Sequence, residues 1–167
     1  DELDIEDVST LSEALIKVKT DLSFCEICGS LMETICPICS DSNRDKDTIM
    51  VVETIKDLLV LEGINSYYGQ YHVLGGTIDF SRGIEPEDLN INSLIKRAKD
   101  TKEIILALNG AVDGQLTSNY LQELLKDKDV IVSKIAHGLP IGADLSFADT
   151  KTLTVALNNR IKINRGD

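Results

Sequence analysis

Thr48-Ile-Met-Val-Val-Glu53 is a continuous apolar run that stops at a carboxylate. A strand covered on both faces reads this way, because neither face needs alternating polar residues. Glu103-Ile-Ile-Leu-Ala-Leu-Asn109 reads as a second buried strand, Val130-Ile-Val-Ser-Lys-Ile-Ala136 as a third strand, and Tyr71-His-Val-Leu-Gly-Gly76 as a strand ending in a tight glycine turn. Segments of helical character separate these runs: Ile55 to Glu62, Glu85 to Lys99 with Pro86 near its first turn, and Leu116 to Leu125. Strands alternating with helices predict an α/β domain with a mainly parallel sheet and flanking helices. After a Gly/Pro loop from His137 to Asp144, a last helix is predicted over about Phe147 to Asn159.

Upstream of the first strand, Val8, Leu11, Leu15, Val18 and Leu22 recur at helical spacing and predict an amphipathic helix over 7–20. It leads into Cys25-Glu-Ile-Cys28 and Cys36-Pro-Ile-Cys39, two C-x-x-C hooks that use every cysteine in the chain. Each hook aims two thiolates at one centre, and two hooks supply the four soft ligands that tetrahedral zinc prefers. The expectation is one structural zinc per chain, with no open coordination position. The alternatives are a pair of disulfides, which need an oxidising compartment, or a redox dithiol, which needs only one hook. The chain therefore divides, on its sequence, into an N-terminal helix (1–22), a four-cysteine knuckle (23–45), the α/β domain (46–145) and a C-terminal helix and tail (146–167).

The chain has 167 residues, 43% of them hydrophobic, which is enough for a packed core. The net charge of -11 argues against a broad phosphate-binding surface, and the absence of Trp argues against a base-stacking platform. There is no bilayer-length apolar run and no secretory signal pattern, so a cytoplasmic protein is expected. Because the chain opens at Asp1 without Met, an upstream segment is expected.

Glu53 ends the first strand, and Asp113 follows the strand that ends at Asn109. Carboxylates at the C-terminal ends of parallel strands can hold a hard cation such as magnesium; the plainer alternative is a helix cap and a loop acid. His72 and His137 have no nucleophile in a recognisable setting, so turn or core roles are expected. No G-K-[ST] follows Gly75-Gly76 or Gly138-Leu-Pro-Ile-Gly142, which excludes a P-loop.

Glu53 after its apolar run, followed by Ile104-Ile-Leu-Ala-Leu-Asn-Gly-Ala-Val-Asp-Gly-Gln-Leu-Thr117, resembles the Toprim domain of topoisomerases and primases. Catalytic members of that family carry D-x-D and then E-G-E in the second segment. Here Asn109 and Ala111 stand at the two aspartates, and the later motif reads Asp113-Gly114-Gln115. The resemblance implies a Toprim fold with a degraded metal site made of Glu53 and Asp113, and any magnesium held there is expected to be weak.

A four-cysteine knuckle directly before such a domain, together with Tyr71-His-Val-Leu-Gly-Gly76, Ile84-Glu-Pro-Glu-Asp-Leu89 and Ala136-His-Gly-Leu-Pro-Ile-Gly-Ala-Asp-Leu145, resembles the bacterial recombination mediator family RecR. The likeness runs from about Leu11 to Arg160. It implies a non-enzymatic clamp and adaptor in recombinational repair, acting with RecO and RecF to load RecA at single-stranded gaps. The competing reading is a metal-dependent phosphotransfer enzyme of Toprim type acting on DNA, and a zinc scaffold that binds no nucleic acid is a third. The family's N-terminal helix-hairpin-helix has no counterpart in these residues. The resemblance therefore implies a dimer for this stretch rather than the family's tetrameric ring, and only weak, non-specific contact with gapped or junction DNA. Candidate contacts are Lys17, Lys19, Arg44, Lys46 and Arg97.

Overall fold

The run at Thr48 lies in β3 (Asp45–Val52), an inner strand of a four-stranded sheet. The computed structural model describes residues 4–136, 138, 139 and 141–161. Ahead of β3 come α1 (Ile5–Thr20) and a two-stranded antiparallel ribbon of β1 (Ser23–Phe24) and β2 (Leu31–Met32). After it come α2 (Ile55–Gly63), β4 (Gly69–Val73), α3 (Ile91–Arg97), β5 (Glu103–Ala107), α4 (Val112–Leu125), β6 (Ile131–Lys134) and α5 (Thr150–Asn158). The sheet order is β4-β3-β5-β6, with β3 parallel to both β4 and β5.

Alternation along β3 sorts its side chains onto two faces. Ile49 and Val51 join Leu74, Leu94, Ile104, Leu106, Leu121 and Leu125 in one buried cluster, beneath α3 and α4. Met50 and Val52 join Leu58, Tyr71, Val73 and Ala107 in a second, and this one also contains Cys25, Cys28, Cys36 and Ile38. The cysteine knuckle is thus a covering layer of the sheet, beside α2. An uninterrupted apolar run is what a strand buried on both faces requires.

The single helix predicted over 85–99 is interrupted. A 3₁₀ turn at Pro86–Asp88 gives way to an extended Leu89 (ψ 156°), and α3 begins only at Ile91. The break lets the Asn90 amide donate to the Leu74 carbonyl at 2.9 Å, which ties the glycine turn after β4 to the start of α3. α4 starts four residues before Leu116, because Asp113 and Gly114 fit its first turn although Val112 is exposed.

The chain forms two compact units, one reaching to Ser133 and the other starting at Lys134. The second contains α5, capped by Asp149, whose carboxylate accepts from the Thr152 amide at 3.0 Å. No residue of α1 or α5 is buried. The sequence divisions at 45/46 and 145/146 fall inside β3 and inside the turn Leu145–Phe147. His137 lies outside the described residues.

Candidate metal centre

The four sulfurs converge. One ligand atom from each of Cys25, Cys28, Cys36 and Cys39 lies within 4.8 Å of all the others. Sulfur pairs Cys28–Cys36 and Cys25–Cys39 are 3.5 and 3.9 Å apart. A tetrahedron with metal–sulfur bonds of about 2.3 Å has sulfur–sulfur edges of about 3.8 Å. The local backbone builds the hooks. Gly29, at φ +74°, turns the first hook so that its amide donates to Cys25 O at 2.8 Å, and Cys25 N donates to Ser30 O at 2.8 Å. In the second hook Ser40 N donates to Cys36 O at 3.1 Å and Cys39 N to Cys36 Sγ at 3.4 Å. No disulfide is formed.

The electrostatics would favour a cation here. The neighbouring Cys39 thiol, and then burial, push the Cys28 thiol far above its ordinary value, and burial pushes Cys36 up as well. Four thiolates this close cannot all ionise without a positive centre among them. The group can hold a metal ion, and its all-sulfur, four-ligand set leaves no position for substrate.

The knuckle is fastened to β4 and to α3. Val73 N donates to Cys28 O at 2.7 Å, and Ser93 Oγ donates to Ile27 O at 2.8 Å. Gly29 presses on β4 so closely that a Cβ there would sit 2.7 Å from Val73 O. Arg97 runs through the same region. Its guanidinium donates to Tyr71 O at 2.8 Å, to Gln70 Oε1 at 2.7 Å and to His72 Nδ1 at 3.1 Å. His72 is fully buried and its Nε2 meets Asn90 O at 2.7 Å. A guanidinium and a carbonyl on its two sides fix the neutral tautomer with the proton on Nε2. Burial lowers the Arg97 pKa, and the sulfurs of Cys39, Cys28 and Cys25 offset only part of that.

The C-terminal ends of β3, β4 and β5 align at one edge, with Val52 opposite Val73 and Ala107. Glu53 and Asp113 both stand at this crest, and each is already engaged. Asn109 donates to both Glu53 oxygens, from its backbone N to Oε1 and from Nδ2 to Oε2, the latter at 3.0 Å. Asp113 Oδ2 accepts from Thr77 Oγ1 at 2.6 Å, which holds the carboxyl below its usual range. The magnesium that a Toprim fold implies does not fit these residues. Glu53 faces N–H donors, and Ala111 offers no side-chain ligand atom. Among the described residues, the four cysteines are the only group of three or more His, Cys, Asp or Glu side chains that converges for a metal.

Two of the five candidate DNA contacts have their guanidinium groups engaged within the protein. Arg97 is spent on the buried network above. The Arg44 side chain is 12% exposed, is ion-paired with Glu62 and donates to Gly69 O at 3.1 Å. Each buries a guanidinium against internal acceptors, so neither offers one to phosphate. Lys17, Lys19 and Lys46 are exposed. The roles of Asn109 and Thr77 escaped the sequence reading. In the sequence Asn109 looks like an acid lost, and Thr77 follows the glycine turn without any motif of its own.

This arrangement defines a Toprim-class protein with a four-cysteine knuckle docked on its sheet. The Toprim domain family matches residues 47–136, and the family described as RecR, C-terminal matches 138–161. The recombination protein RecR of Lactococcus lactis subsp. cremoris is 45% identical over 161 residues, covering 95% of this chain and 81% of its own length. That of Phytoplasma mali is 48% identical over 155 residues, 90% of this chain and 75% of its own length. That of Enterococcus faecalis is 45% identical over 161 residues, again 95% and 81%. The chain belongs to the RecR family of recombination proteins.

Proposed function

We propose that the protein is a non-enzymatic mediator of recombinational DNA repair, a clamp and adaptor that acts with RecO and RecF to promote RecA loading at single-stranded gaps. The observation that carries this reading is the state of the Toprim crest. Metal-assisted phosphotransfer needs clustered acids free to hold an ion, and here Glu53 and Asp113 are bonded to Asn109 and Thr77. The relatives are named recombination proteins, which agrees with a repair role.

The knuckle holds one structural zinc per chain, on Cys25, Cys28, Cys36 and Cys39. Copies of the chain associate, and α5, whose Leu157 is 64% exposed, is a candidate contact. DNA is met by Lys17, Lys19 and Lys46 only weakly. No helix among the described residues is long and apolar enough to cross a membrane, in keeping with a cytoplasmic site of action. The test is RecA assembly on gapped DNA with the cognate RecO. Adding this protein should speed assembly, and an unchanged rate would reject the mediator role.

A further inference from the structure

We propose that Asn109 takes at this crest the place a divalent cation takes in a metal-bearing Toprim site: it joins the ends of β3 and β5 by hydrogen-bonding both oxygens of Glu53. This inference shares the crest geometry with the mediator reading, but its test reads melting temperature and magnesium dependence, so the two fail on different measurements.

The orientation of the Asn109 amide is fixed by chemistry. Its Oδ1 accepts from the Ala111 backbone amide at 2.7 Å, and a backbone N–H can only donate. The atom facing Glu53 Oε2 at 3.0 Å is therefore Nδ2, with a proton to give. The Asn109 backbone N serves the other carboxylate oxygen. One residue thus presents two N–H groups to the two oxygens of one carboxylate, the pattern by which a planar donor pair recognises such a group. A third contact locks the clamp. Gly114 in the first turn of α4 lies against Asn109, where a Cβ would come within 2.4 Å of Asn109 O and 2.5 Å of Oδ1. The amide is held from the loop, the helix and the neighbouring strand at once.

Replacing Asn109 by aspartate keeps the shape and reverses the interaction. A carboxylate oxygen would face Glu53 Oε2 where the donor now sits. The repulsion is relieved by a cation between the two oxygens. The substitution should therefore turn a metal-indifferent crest into a metal-dependent one.

The experiment is thermal unfolding of the zinc-loaded 167-residue chain, in resin-treated buffer so that no chelator challenges the knuckle, with and without about 10 mM magnesium chloride. The parent should be unmoved by magnesium. Asn109→Asp should melt about 3 °C lower without magnesium and recover with it. Asn109→Ala should melt lower and ignore magnesium, and adding Glu53→Gln to Asn109→Asp should abolish the magnesium effect. The proposal is overturned if magnesium raises the parent as much as Asn109→Asp. It is equally overturned if Asn109→Asp matches the parent without magnesium, or if its loss is untouched by the ion.

Discussion

His72 shows what burial does to a single side chain. It is fully buried between Arg97 and Asn90, and burial, aided by the Arg97 charge, lowers its pKa from 6.5 to about 4. As pH falls the unfolded chain takes up the proton first, so stability from this residue is complete above about 6.5 and is lost between 6.5 and 4. Over pH 7 to pH 5 the loss is about 2 kcal/mol. Urea unfolding at the two pH values should show that difference in the parent. His72→Gln, which keeps a donor for Asn90 O, should show a pH dependence smaller by about that amount. Equal pH dependence in both would mean that His72 titrates normally. Its buried place was foreseeable from the absence of any nucleophile around it, but its partners were not. Arg97 lies 25 residues away, and only α3 packing along β4 brings the two together.

Among the elements, the knuckle is the one whose role changes most on folding. Its residues complete the cluster formed by Met50, Val52, Tyr71 and Val73, so a metal held by the four cysteines would organise a face of the sheet as well as a loop. Cys36→Ala should leave the protein insoluble, or lower its melting temperature by roughly 10 °C, since ligand loss removes both the fold of the knuckle and the cover of β3 and β4. Hydrogen exchange locates the effect: the Val73 amide, bonded to Cys28 O, should lose protection before amides of α4 do. Unchanged protection at Val73 would show the two layers to be independent. The hooks themselves were legible, because four ligands at two tight spacings have few other uses. Their docking was not, because it depends on Gly29 and Ser93, residues with no motif. The strands at Thr48 and Glu103 were legible because strands buried on both faces carry unbroken apolar runs. The break at Leu89–Asn90 was hidden because the helical spacing continues across it, and only the hydrogen bond to Leu74 O requires it.

For the whole molecule, charge and the engaged crest carboxylates set the limits. With a net charge of -11 and two of five candidate bases turned inward, these 167 residues should bind gapped DNA weakly. A salt titration should show binding gone near physiological ionic strength, with a shallow dependence that reflects few phosphate contacts. Tight binding at that salt would place a DNA site on a surface not identified by charge. The mediator role proposed above has the protein organise others on DNA and perform no phosphotransfer itself, with Asn109 and Thr77 holding the two acids that catalysis would need. The most direct test is incubation of the zinc-loaded protein with supercoiled and gapped DNA in magnesium, beside Glu53→Ala. The account predicts no nicked or religated product from either protein. Nicking by the parent that Glu53→Ala abolishes would contradict it.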